Sequence, residues 1–246
     1  MRAVMLGASK GMGRALAREM IRRGDQVFLL GIEPGELERS ARDLEARAPG
    51  VARVGTAPCD LERPQQFEGA LDAADAALDG FDTVVVSAGM FASQDELEAD
   101  PDLAQRLLLV NYANSVLFCE HVRKRLLARG GGRLVVFSSV AGDRGRKPVV
   151  LYGSSKAGLS HYLEGLDHRY RKQGLVVVCV KPGFVKTGMT AGLKPPPFAG
   201  EPRQVARQVL AAIDRGSPVV YTPSPWRLVM LAIRALPRAV MRRVDF

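Results

Sequence analysis

The strongest constraint on this chain is a glycine turn set between a strand and a helix near its start. Residues 3 to 6 form an apolar run that breaks into Gly7-Ala8-Ser9-Lys10-Gly11-Met12-Gly13, and a helical pattern follows through Arg23 to a stop at Gly24. Three glycines let a backbone turn sharply and approach a pyrophosphate closely, while the helix N-terminus aims free N–H groups at the anion. The Gly-x-x-x-Gly-x-Gly spacing differs from the common dinucleotide fingerprint, so a plain strand-to-helix turn stays open as the alternative at this point.

The alternation continues along the chain. Further strands are expected at about 26–31, 51–57, 83–86, 134–137 and 176–180, separated by a charged helix from Pro34-Gly35 to near Pro49-Gly50, a helix from about Asp102 to Arg129, and one that stops at Gly174. Such spacing predicts right-handed parallel crossovers and an α/β doubly wound parallel sheet of Rossmann type in a single domain. Ligands of these sheets bind beyond the carboxyl ends of the strands. Gly7, Asp60, Gly89, Ser139 and Pro182-Gly183 all fall at or just past predicted strand ends. Asp60, followed by Leu61, can accept a hydrogen bond from an adenine amine or cap the next helix. The small residues Ser87, Ala88 and Gly89 would let a cofactor lie against the backbone.

At 246 residues the chain can bury one large core, and no low-complexity linker divides it. The net charge of +9 raises the question of nucleic acid. However, residues 222–246 hold five arginines against one aspartate, so the excess is concentrated in an apolar tail and not along an aromatic-studded surface, and no nucleic-acid partner is expected. Cys59, Cys119 and Cys179 are widely spaced with no CxxC, and His121, His161 and His168 lack ligand spacing, so neither a disulfide framework nor a metal site is signalled. The first apolar run is too short for a signal-peptide core, and no run approaches the ~18 apolar residues of a membrane span. A cytoplasmic protein is expected.

The chemistry-bearing stretch is LVVFSSVAGDRGRKPVVLYGSSKAGL. Tyr152 and Lys156 stand four apart in a segment without proline, which on a helix places them on one face a turn apart. A phenol normally titrates near pH ~10, and a neighbouring ammonium favours the phenolate and brings it nearer working pH. Ser139, at the end of a strand, can donate a second hydrogen bond to a substrate oxygen. Taken alone, the Tyr-x-x-x-Lys pair also fits a helix with a half-buried tyrosine and a solvated lysine.

Together these motifs resemble the short-chain dehydrogenase/reductase family over nearly the whole chain. GASKGMG matches the family's cofactor loop, SAG stands where the family has Asn-Ala-Gly, Asn111 lies in the matching helix, and Ser139, Tyr152 and Lys156 match its active-site set. KPGFVKT, with Pro182, Gly183, Val185 and Thr187, resembles the segment that embraces the nicotinamide. The resemblance implies that Tyr152 passes a proton to or from the substrate oxygen while hydride moves to or from the nicotinamide. Ser139 would hold that oxygen, Lys156 would lower the tyrosine pKa and bind the nicotinamide ribose, and Asn111 would anchor a proton-supplying water. Cofactor contacts are implied for Gly7, Ser9, Lys10, Gly11, Met12, Gly13, Asp60, Leu61, Ser87, Ala88 and Gly89. Two departures bear on the rigidity of the loop: Leu6 replaces a threonine and Ser87 an asparagine.

An NAD enzyme of this kind is expected to carry an acid after the second strand, and here that place falls on Gly31. Lys10 can pair with an extra phosphate, which favours NADP(H), with NAD(H) not excluded and Glu33 counting against it. The segment 187–201 is the expected substrate loop; Leu193, Pro195 to Pro197 and Phe198 make it apolar and suggest a hydrophobic carbonyl or alcohol substrate. Arg144, Arg146 and Lys147 lie near the expected mouth, either solvated or binding a phosphate. The segment 222–246 reads as a basic amphipathic tail kinked at Pro237, suited to an anionic membrane surface or to docking on its own domain or a partner subunit. With YGSSKAGL and KPGFVKTGMTAGLK it resembles the polyprenyl-phosphate keto-pentose reductases, whose substrate is a lipid-linked keto-sugar. The family implies a dimer or tetramer. A nucleotide-sensing protein without chemistry is the alternative from another class, and the complete Asn111, Ser139, Tyr152, Lys156 set argues against it.

Overall fold

In the computed structural model, which describes residues 1–48, 50 and 53–245, seven strands form one parallel sheet. The strands are β1 (Arg2–Leu6), β2 (Gln26–Gly31), β3 (Gly55–Pro58), β4 (Thr83–Val86), β5 (Gly132–Phe137), β6 (Leu175–Pro182) and β7 (Val219–Thr222), in the order β3-β2-β1-β4-β5-β6-β7. Strands buried on both faces read as continuous apolar runs, as AVML of β1 and TVVV of β4 do.

The connecting helices cover both faces. On one side lie α1 (Gly11–Arg22), α2 (Pro34–Arg47) and α8 (Pro202–Arg215), closing a core around Met5, Leu16, Leu29, Val178 and Val209. On the other lie α3 (Phe67–Leu78), α6 (Asn114–Ala128) and α7 (Val150–Tyr170), around Phe67, Phe118, Val136 and Leu163. Two short helices, α4 (Gln94–Ala99) and α5 (Pro101–Leu108), precede α6. A Ser93–Glu96 capping box starts α4, and the Asp100 side chain caps α5.

Several elements differ from the sequence reading. The long helix expected over 102–129 begins at Pro101 and is interrupted by a π-helical turn, Leu109–Ala113, which carries Asn111. The third strand, expected at 51–57, is observed at Gly55–Pro58, and positions 51 and 52 lie outside the described residues. Strand β7 went unpredicted, because four residues after Pro218 show too little periodicity.

The tail is docked on its own domain. Helix α9 (Trp226–Ala235) ends at the predicted break, and a short turn of helix, α10 (Arg238–Met241), follows Pro237. Met230 is fully buried, Trp226 Nε1 donates to the Phe198 carbonyl at 3.1 Å, and Arg144 donates to the Leu236 carbonyl at 2.8 Å. Among the described residues no helix is long and apolar enough to cross a membrane.

Phe118 packs edge-on against Phe67 with ring centroids 5.2 Å apart, both fully buried between α3 and α6. Phe118→Ala is expected to cost about 3–5 kcal/mol of folding stability, and Phe118→Leu clearly less, as read by urea denaturation.

Candidate active site

The strand order reverses between β1 and β4, where a doubly wound sheet opens a crevice at its carboxyl edge. A cavity of about 500 Å³ opens there. Gly7, Ser9, Lys10, Gly11, Met12, Gly13, Asp60, Leu61, Ser87, Ala88, Gly89 and Thr187 all line it, so twelve residues singled out in the sequence meet in one space.

Its floor needs glycine. Gly7 has a φ of +89°, and a Cβ there would sit 2.4 Å from the Ala88 nitrogen; at Gly13 it would sit 2.3 Å from Ser87 Oγ. Leu6, despite replacing a threonine, supplies the carbonyl that fastens this floor. It accepts from the Ser87 N–H at 2.8 Å, the Ala88 N–H at 3.1 Å and Ser87 Oγ at 3.2 Å. Both departures from the family pattern are therefore accommodated, with the Ser87 hydroxyl making one of the bonds. Helix α1 starts after Lys10 without a side-chain cap, leaving its first N–H groups free for an anion. The cradle fits a dinucleotide.

Asp60 both lines the cavity and stiffens its own turn, its Oδ1 accepting from the Glu62 N–H at 2.9 Å. Lining residues that the sequence does not single out include Val110 and Arg106. Ile32, 61% exposed, offers an apolar face beyond β2; Val110 closes the inner wall; Arg106 reaches the rim and pairs with Glu62 at 2.6 Å.

Beside the cavity, the Tyr152–Lys156 pair lies on α7 as its spacing requires. Lys156 is buried and its Nζ donates to the Phe137 carbonyl at 3.1 Å. That nitrogen also faces Gly89, where a Cβ would come within 3.4 Å of it and 3.0 Å of Asn111 Oδ1. Asn111 is held at both ends of its amide: Oδ1 accepts from the Met90 N–H at 2.8 Å and Nδ2 donates to the Met90 carbonyl at 2.9 Å. Ser139 Oγ accepts from the Ala141 N–H at 3.1 Å, and Phe91 stands edge-on to the Tyr152 ring at 5.1 Å.

The electrostatics differ from expectation. Burial pushes the Tyr152 phenol above its usual range, with the nearby Ser139 hydroxyl pulling the other way, so the expected lowering by the ammonium is not what this structure shows. The reason is geometric: Lys156 Nζ lies 5.9 Å from the ring centroid and donates instead to a backbone carbonyl. Desolvation lowers the lysine itself to about 8.

Other residues hold this pair in place. Ser138 Oγ donates to the Lys156 carbonyl at 2.9 Å and lies 2.7 Å from Ser160 Oγ. A Cβ at Gly142 would sit 2.6 Å from the Lys156 carbonyl carbon, and one at Gly153 would sit 2.9 Å from the Ala141 oxygen. Of the expected cofactor contacts, Tyr152, Lys156, Pro182, Gly183 and Val185 do not line the cavity. Val185 is buried in a bridge to Gly200, and Gly183 is covered by the Trp226 ring, whose atoms a Cβ would meet at 2.3 Å.

An α/β protein with a doubly wound parallel sheet, a glycine-lined crevice at its strand-order reversal and a tyrosine–lysine pair beside it is the class this architecture defines. The model of the short chain dehydrogenase family matches residues 1–197. An uncharacterized oxidoreductase of Streptomyces coelicolor is 36% identical over 98% of this chain and 94% of its own length. Among solved structures, a short-chain type dehydrogenase/reductase from Mycobacterium ulcerans superposes with a TM-score of 0.83 at 20% identity, covering 98% of this chain and 97% of that one. A variant of the actinorhodin polyketide ketoreductase, solved with NADPH, gives 0.80 at 22% identity over 89% of this chain and 94% of that one. The chain belongs to the short-chain dehydrogenase family, and it is an oxidoreductase of that type.

The depressed lysine predicts a pH signature. Below about 8 the Lys156 ammonium is charged in folded and unfolded chains alike, and its burial costs stability. As pH rises through about 8 the folded chain releases that proton while the unfolded chain keeps it until near 10.5, so stability is gained across that window. Wild type is expected to gain on Lys156→Met between about pH 7.5 and 9.5 in denaturant titrations; a constant difference refutes the assignment.

Proposed function

We propose that the protein reduces a hydrophobic ketone with NADP(H), or oxidises the matching alcohol in reverse. The observation that carries this reading is the placing of Tyr152 and Lys156 a turn apart on α7, with the Ser139 hydroxyl close enough to lower the phenol's pKa and the lysine nitrogen facing Gly89 of the glycine-lined cavity. A bound nicotinamide would supply or accept the hydride. Tyr152 gives its proton to the substrate oxygen, which Ser139 holds by a second hydrogen bond. Lys156, titrating near 8, re-protonates the phenol and is in turn supplied from the Asn111 turn. A π-helical turn at Asn111 suits that task, because such turns loosen the regular backbone ladder at functional sites.

The first turn of α1 would hold the cofactor phosphates. For the extra phosphate of NADP(H), Lys10 is supported by its surroundings. Glu36, which also lines the cavity, is hydrogen-bonded by Arg39 and held below the usual carboxylate range by Arg39, Lys10 and Arg14. Lys10, Arg14 and Arg39 thus stand with Glu33 and Glu36 at the end of β2, where Gly31 takes the place of an acid; the cations and Gly31 support NADP(H), and Glu33 counts against it. The NADPH of the polyketide ketoreductase that shares the fold is in keeping with this preference.

On the substrate side, Met189, Leu193 and Phe198 are each about half exposed on the 187–201 loop and offer an apolar wall. Leu228 and Leu231 of α9, 71% and 65% exposed beside Arg227 and Arg234, favour as a second reading a lipid-linked keto-sugar met at a membrane surface.

Tyr152→Phe is expected to lower NADPH-dependent ketone reduction by about 10²–10⁴-fold while NADPH binding, followed by nucleotide fluorescence, survives. Retained turnover sinks the mechanism, and a wild type that binds NADPH yet reduces no ketone puts the nucleotide-sensing reading in its place. In the same assay Lys10→Ala is expected to raise the KM for NADPH roughly tenfold with little change for NADH. An unchanged cofactor preference removes the case for the extra phosphate.

A further inference from the structure

A second cavity, of about 580 Å³, lies between the loop after β5 and the end of the tail. Its walls carry five cations: Arg144, Arg146 and Lys147 from the loop, Arg238 from α10, and Arg242 just beyond it. The facing surface of α7 supplies Val150, Gly153, Ser154 and Ala157. On a helix these occupy a different face from Tyr152 and Lys156, so the cavity lies on another side of α7 from that pair.

Among the described residues the charge here is poorly neutralised. Lys147 pairs with Asp245 at 2.6 Å, and Arg144 gives one N–H to the Leu236 carbonyl. Asp143, the acid on the same loop, is taken on the other side by Lys181 at 2.6 Å and by the Tyr221 hydroxyl at 2.7 Å. Among the described residues no carboxylate lies within salt-bridge distance of Arg146, Arg238 or Arg242, and the Arg146 Nε is buried without a hydrogen-bond partner. A guanidinium N–H buried in this way costs free energy until an acceptor reaches it, and burial accordingly depresses the Arg146 pKa. Fork-shaped donors from two walls of one cavity, the loop and the tail, match the several oxygens of a phosphate better than the two of a carboxylate.

We propose that this cavity binds a phosphate group, free or borne on a lipid headgroup, at a site on another side of α7 from Tyr152 and Lys156. The tail then has a physical reason to fold back over the loop: the bound anion draws α10 and residues 144–147 together and shields their mutual repulsion. The proposal does not depend on the proposed function, since its test reads binding and not turnover.

The test uses the full-length protein and calorimetric titration with inorganic phosphate and with hexyl phosphate, beside co-sedimentation with phosphatidylglycerol and with phosphatidylcholine vesicles. Saturable binding of the soluble phosphates is expected if the source is free. Binding to phosphatidylglycerol vesicles and not to phosphatidylcholine is expected if it is a headgroup. In either case Arg146→Gln and Arg242→Gln should each weaken binding roughly tenfold, while Lys172→Ala, outside both cavities, leaves it unchanged. Arg242 is exposed, so its variant keeps the test valid should Arg146→Gln fail to fold. Absence of binding in all arms, equal binding by acetate, loss of binding in Lys172→Ala, or binding retained in the two arginine variants overturns the proposal.

Discussion

The site depends on one close contact, the seat of the loop after β5 on the first turns of α7. Ser138 hydrogen-bonds the carbonyl of Lys156, while the Lys156 side chain returns to the carbonyl of Phe137, so strand and helix are cross-tied through a single residue. Gly142 and Gly153 permit the approach, because a methyl group on either would overlap backbone atoms of the other element. Such contacts yield little to compression, since packed interiors have no spare volume to absorb it. The distance between Ser139 and Tyr152 is thereby fixed by backbone packing and not by the two side chains themselves.

A second rigid contact sets the floor on which this pair faces. The Leu6 carbonyl gathers three donors from Ser87 and Ala88, and Gly7 and Gly13 let the β1 and β4 ends close to near contact. The result is a crevice whose wall is backbone, with dipoles fixed in advance and no side-chain freedom to be lost when a ligand arrives. Lysine burial fits the same logic. Held against Phe137 and near Asn111, the ammonium sits where its charge is costly, and a pKa of about 8 brings its proton exchange close to physiological pH.

Much of this was legible in the sequence. Apolar runs at β1, β2, β4, β5 and β6 announced the parallel sheet, and glycine or small residues at their ends marked the crevice, because both patterns are local. What escaped was set by tertiary contact. The π-helical turn at Asn111 inserts no residue type that periodicity can register, and β7 takes its identity from pairing with β6 and not from its four residues. Ser138, Phe91 and Gly142 matter through partners far along the chain, and nothing in their immediate neighbours says so. The phenol is instructive for the same reason. Spacing alone placed an ammonium near it, yet the balance between charge and desolvation is decided by a backbone carbonyl that the spacing does not show.

The tail shows how an amphipathic pattern is divided once the fold is in place. Met230 goes to the core, the Trp226 indole covers Gly183 and holds the Phe198 carbonyl, and Leu228 and Leu231 stay outside. Trp226 therefore ties the turn after β6 to the far end of the 187–201 loop, whose neck is already closed by Lys186 N–H to the Gly200 carbonyl at 2.9 Å and Gly200 N–H to the Phe184 carbonyl at 2.9 Å. Between these two fastenings the loop is pinned at its base and near its end, while Met189 and Leu193 between them remain exposed. A segment fixed at both ends and apolar in the middle can change its contacts without moving the β6 terminus. That is the mechanical requirement for the adaptable apolar wall that the proposed function asks of this loop, with Ser139 and Tyr152 staying in place behind it.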